Sequence, residues 1–121
     1  MEVTRAEFED LVADALDSLP EDLGRLMDNV VVMVEDWPTA EQLVGVKGTL
    51  LGLYQGVALT HRGPLSYMGA MPDRIYIFQG TISERSPTPE VLVALVRRVV
   101  IHEVAHHFGI SDARLHELGW A

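Results

Sequence analysis

Apolar residues follow two different spacings along this chain, and the changes between them mark out its elements. From residue 4 to residue 19, Phe8, Leu11, Val12, Ala15, Leu16 and Leu19 recur at the helical period and form one buried stripe. Thr4 and Glu7, three apart at its start, spell a capping box. Pro20, followed by Glu21 and Asp22, suits the first turn of a second short helix ending near Met27. The period then changes. Residues 29–36 include Val30, Val31, Val32 and Val34 in a continuous apolar run, which predicts a strand covered on both faces that stops at Trp37-Pro38. Residues 39–49 read as a loop with a helical turn over 39–44. Residues 50–55 read as a second strand ending at Gly56, residues 60–73 as a Gly- and Pro-bearing loop, and residues 73–79 as a third strand. A small, largely antiparallel three-stranded sheet between helices follows. The expected class is α+β, in a single domain over residues 1–121.

The last third is the most regular. Thr88 is placed to cap a helix whose first residue is Pro89, and apolar positions then run nearly all round it to Phe108. A helix apolar on every side is expected to be central and buried on every side. Gly109 supplies a left-handed stop, and Ser111 or Asp112 caps a final short helix through Leu118.

Inside that helix stands His102-Glu103-Val104-Ala105-His106. Residues four apart lie about 40° from each other around a helix, so the two imidazoles share a side at a spacing that suits one tetrahedral zinc. Glu103, beside them, is placed to act as the base for a water that the metal activates. With 5 His and 10 Glu, a shuffled chain of this composition would hold an HExxH about 2% of the time. Requiring Gly109 and Asp112 at their positions lowers this to about one in ten thousand, so the extended pattern carries the weight. Gly109 permits a sharp reversal that returns Asp112 toward the metal as a third ligand.

Plainer readings stand beside these. His102 and His106 could be hydrogen-bonded core histidines, Glu103 the ion-pair partner of an arginine, and Asp112 an N-cap alone. His116 and Glu117 are reserve ligands on the last helix. His107 points about 100° from His106 and cannot share its metal, which leaves it a surface or supporting role. Tyr54, Tyr67 and Tyr76 are candidate transition-state donors, or packing residues.

Composition narrows the classes. The chain has 121 residues, enough for one domain, and no cysteine, which excludes a disulfide scaffold, a cysteine zinc site and a thiol nucleophile. Its net charge of −9 opposes a nucleic-acid surface, and the first 41 residues carry most of the excess acid. No apolar run is long enough to span a membrane and the first residues are acidic, so a soluble cytoplasmic protein is expected.

The run His102-Glu103-x-x-His106-x-x-Gly109-x-x-Asp112 resembles the motif of the Asp-zincins, zinc metallopeptidases in which an aspartate completes the metal site. The short chain resembles in particular the small bacterial zincin-like metallopeptidases, with further likeness over residues 107–112 and 115–119 and a weaker one over 51–56. The resemblance implies a minimal zincin-like domain that hydrolyses peptide bonds. It implies one zinc per chain, bound by His102, His106 and Asp112, with Glu103 as the catalytic base. No methionine follows Asp112, so the methionine turn beneath the metal of larger metzincins is missing, and Trp120 is the bulky aromatic left to take its place. The expected partner is a peptide or protein lying along a sheet edge, for which residues 74–79 are the strand chosen. No nucleic acid or membrane partner is expected, and the oligomeric state, a homodimer included, stays open. The alternative is a zinc-binding protein without turnover that acts through a partner. The truncated cleft favours it, and the intact Glu103 opposes it.

Overall fold

A computed structural model describes residues 1–19, 21, 27, 30–56 and 73–118, apart from the side chains of Asp112 and Leu118. The expected second helix over residues 20–27, the loop over 60–73, Tyr67 and Trp120 lie outside, or mostly outside, the described residues. The elements in chain order are α1 (Arg5–Asp17), β1 (Val30–Glu35), β2 (Gly52–Gln55), β3 (Asp73–Phe78), α2 (Gln79–Glu84), α3 (Pro89–His107) and α4 (Asp112–Leu118).

Helix α1 opens on the expected capping box. The Glu7 amide donates to Thr4 Oγ1, and the Thr4 amide donates to the Glu7 carboxylate, both at 3.1 Å. The Thr4 amide, and after it the Thr4 side chain, hold the Glu7 carboxyl below its ordinary value. A depressed carboxyl of this kind supports the fold above its unfolded pKa and loses that support as pH falls through the folded one. One residue on, Arg5 donates from Nε to Gln79 Oε1 (2.9 Å) and from Nη1 to the Val34 carbonyl (2.7 Å), and it pairs with Asp36. The start of α1 is thereby tied to the end of β1 and to the start of α2.

The three strands lie in the order β1-β3-β2, with β1 parallel and β2 antiparallel to β3. The sheet is mixed, where a largely antiparallel one was expected. A parallel pair needs a long crossover, and the stretch between Glu35 and Asp73 supplies it. Among the described strands β1 is also an edge strand. Val30, Val32 and Val34 face the core while Val31 is 42% exposed, so only one face is well covered. A β-branched run suits an edge strand as well as a central one, and its composition did not distinguish them. Central β3 turns Ile75 and Ile77 to the helices and stacks Tyr76 on Phe78, ring centroids 6.3 Å apart, on its other face.

Helix α3 lies on this sheet, against β2 and β3, with α1 packed beside it. Leu92, Val96, Val100 and Val104 enter one core with Phe8, Val12 and Ala15 of α1. Burial all round does not hold for its first half, where Val91 and Val93 are 40% and 43% exposed. In a helix-on-sheet arrangement one flank of the helix stays open, whatever its composition.

The sequence pattern did not suggest α2, because Gly80, Thr81 and Ser83 are poor helix formers. Tertiary bonds fix it instead. The Gly80 amide donates to the Asp36 carbonyl (2.8 Å), Thr81 Oγ1 donates to the Leu50 carbonyl (2.9 Å), and a side chain at Gly80 would meet the Trp37 ring.

A buried polar network joins α3 to the sheet. His107 Nδ1 lies 2.6 Å from Asp73 Oδ2, and Tyr54 donates to the same oxygen at 2.7 Å. A Cβ added at Gly56 would sit 2.5 Å from Asp73 Oδ1, so the chain closes over this carboxylate only with glycine there. Asp73→Ala leaves a buried imidazole and a phenol without their acceptor, and it should destabilise the protein by about 3 kcal/mol. Tyr54→Phe, which removes one donor, should cost about 1 kcal/mol. Urea unfolding of the two variants against the unmodified chain measures both, and equal midpoints for all three would refute this account of the network.

Candidate metal centre

The second half of α3 presents the chemistry. Thr88 Oγ1 accepts from the Val91 amide and Pro89 occupies the first turn, so the helix starts where the sequence places its cap. It stops at Gly109, whose φ is 70°. There the Gly109 amide donates to His106 (3.0 Å) and the Ile110 amide to Ala105 (2.9 Å), the paired bonds of a Schellman turn. The next cap belongs to Ser111, whose hydroxyl accepts from the Arg114 amide at 3.2 Å. Asp112 is therefore not needed as the N-cap of α4. Its side chain lies outside the described residues, and so does the expectation that it completes the metal site.

His102, Glu103 and His106 come together, with one ligand-type atom from each lying within 4.8 Å of the others. The imidazole rings of His102 and His106 meet edge to face, with centroids 4.6 Å apart. His106 Nδ1 lies 3.2 Å from Glu103 Oε1. Two imidazoles and a carboxylate at this spacing are a donor set that fits zinc. Glu103 is 6% exposed, and its hydrogen-bond partner among the described residues is His106, not an arginine.

Strand β2 comes up against that carboxylate because Gly52 has no side chain. A Cβ there would fall 2.8 Å from Val99 Cγ1 and 3.0 Å from Glu103 Cγ. The approach forms one end of a groove of about 700 Å³. Leu51 and Gly52 line it from the β2 side, and Leu95, Arg98, His102 and Glu103 line it from α3. Of the two rims, the sheet contributes the outer strand β2. Residues 74–79, the strand expected to receive a peptide, belong mainly to β3, whose two neighbours already use its backbone groups.

The remaining candidates separate clearly. His107 is 1% exposed and bonded to Asp73, so a surface role is overturned. Glu117 is exposed and paired with Arg114 at 2.7 Å, and neither it nor His116 joins a metal-type cluster among the described residues. Tyr54 is held by Asp73, and Tyr76 is stacked in the sheet. The sequence reading assigned Asp73 no role, and it took Gly52 and Gly56 only as part of a weaker likeness over 51–56, with Gly56 as a strand end. Nothing in their local spacing links them to the motif, although Asp73 is an acid at the head of an apolar strand.

Among curated proteins none matches the sequence significantly. A solved structure of a conserved hypothetical protein from Thermo thermophilus is similar, with a TM-score of 0.58 and 27% identity, over 96% of this chain and 97% of that one. The family model for zincin-like metallopeptidases matches residues 27–120, which take in all three strands and the helix carrying His102, Glu103 and His106. With its motif helix packed on the sheet and more than half its length matched, the chain belongs to the zincin-like metallopeptidase family.

Proposed function

We propose that the protein is a zinc-dependent peptidase in which His102, His106 and Asp112 hold one metal ion and Glu103 is the general base. The observation that carries this reading is the gathering of His102, Glu103 and His106 at the end of a groove bordered by β2. A zinc ion held there supplies Lewis acidity, which polarises a peptide carbonyl and makes a water easier to deprotonate. Glu103 takes the proton of the attacking water at its carboxylate and returns it to the departing amine. Its burial excludes competing solvent, and the 3.2 Å contact with His106 fixes its orientation. Strand β2 receives the substrate as an added strand through main-chain hydrogen bonds, which select an extended backbone without requiring one sequence. The substrate on this reading is a protein or peptide of the cytoplasm. No described helix is long and apolar enough to cross a membrane.

Metal analysis should find about one zinc per chain, lost in His102→Ala and in His106→Ala while far-ultraviolet circular dichroism is retained. Asp112→Asn should weaken zinc at least tenfold, while His116→Ala and Glu117→Ala should leave it unchanged. Loss confined to either of the last two variants would move the third ligand to α4.

Glu103→Gln should keep zinc and lose peptide cleavage by about a hundredfold or more, measured on a peptide library. Zinc binding with no cleavage by the unmodified protein would leave the non-catalytic reading.

The Gly52 contact gives an independent handle. Gly52→Ala should retain zinc yet lower turnover by about tenfold or more, because the new methyl displaces either β2 or Glu103. Unchanged turnover in this variant would separate β2 from the chemistry.

A further inference from the structure

Two arginines line the groove that ends at Glu103, and neither has an acidic partner among the described residues. Arg85 donates from Nη2 to Thr49 Oγ1 at 2.8 Å, and Arg98 enters no ion pair among the described residues. Of the other described arginines, Arg5 pairs with Asp36 and Arg114 with Glu117. With 18 acids against 9 bases, carboxylates are abundant, so two such guanidiniums in one groove form a local cationic site. Leu51, Leu95 and Val99 line the same groove with apolar side chains.

Distances along the elements give these cations an address. Arg98 stands four residues before His102 on the same face of α3, about 6 Å along the axis. An extended peptide advances about 3.3 Å per residue, so Arg98 falls opposite the second residue from the reacting bond. Thr49, which holds Arg85, precedes Gly52 by three residues, about 10 Å of extended chain, and so reaches the third. A guanidinium fork binds a carboxylate through two parallel hydrogen bonds, which suits it to this anion.

We propose that Arg98 and Arg85 select peptides bearing a carboxylate two to three residues from the scissile bond, either an acidic side chain or the chain's own C-terminus. The inference rests on the peptidase reading, since it uses the same groove. The carboxylate would enter a site that no described acidic residue fills. Apolar residues between it and the bond would lie over Leu51 and Val99.

The test is peptide binding to zinc-loaded Glu103→Gln protein, followed by fluorescence anisotropy. One pair of peptides differs by Glu against Gln at the second or third residue, and another by a free against an amidated C-terminus. The carboxylate member of at least one pair should bind about tenfold more tightly, and the responding pair names the source of the carboxylate. Arg98→Gln should remove most of this preference and the Arg85→Gln, Arg98→Gln double variant all of it. Arg97→Gln makes the same charge change outside the groove and should leave the preference intact. Equal binding within both pairs, or a preference that survives the double variant or is lost equally in Arg97→Gln, overturns the proposal. A parallel cleavage assay separates the two readings. Cleavage of neutral peptides without carboxylate preference refutes this inference and leaves the peptidase standing. Carboxylate preference in binding without any cleavage by the unmodified enzyme upholds the arginine site and refutes the peptidase. Neither binding nor cleavage of any peptide refutes both.

Discussion

The rotation of α3 about its own axis is set where His107 meets Asp73. Successive helical residues are offset by about 100°, so a helix that turns His107 into the sheet must turn His106 and His102 toward its flank. The hydrogen bond is buried at both ends, with side-chain exposures of 2% and 3%, so letting the helix roll would strand an imidazole and a carboxylate away from water. The apolar core alone would fix this less sharply, because α3 offers valine and leucine around much of its circumference and other rotations would also bury them. A polar contact in an otherwise permissive core therefore gives the motif a direction.

The sheet adds the second constraint. Gly52 brings the β2 main chain against Glu103, while Gly56 brings the next turn of chain over Asp73. Both glycines remove side chains at points where a strand must pass close to a carboxylate, one belonging to the motif and the other to the buried network. The carboxylates thus occupy related positions on either side of β2's short run, one facing the groove and one sealed beneath it.

Much of this was legible in the sequence, and what was legible was local. The Thr4 capping box, the Thr88 cap with Pro89, the Gly109 stop and the spacing of His102 and His106 all depend on residues within a turn or two of one another. Strand positions also came through, since alternation and β-branching are local. Pairing was not legible. Whether β1 meets β3 in parallel depends on the route of the intervening chain, and no residue in either strand encodes it. Helix α2 was missed because its own residues oppose helix formation and distant partners overrule them. The burial of His107 was missed for a related reason, since its partner lies 34 positions away. The exposed flank of α3 shows the opposite error, in which composition implied a covering layer that the described residues do not supply. Of the motif, the two histidines and the glutamate converge as their spacing requires, while Asp112 rests on spacing and family membership.

Strand β2 has four residues and, among the described strands, is an outer strand of the sheet. An outer strand attracts self-association, because its unpaired amides and carbonyls match those of the same strand on another molecule. Length and composition both limit that here. Four residues offer few ladder bonds to an incoming copy, and Gly52 contributes neither a side chain to pack nor a conformationally restricted backbone. The glycine that lets Glu103 lie beside the strand therefore also weakens the strand as a template for aggregation.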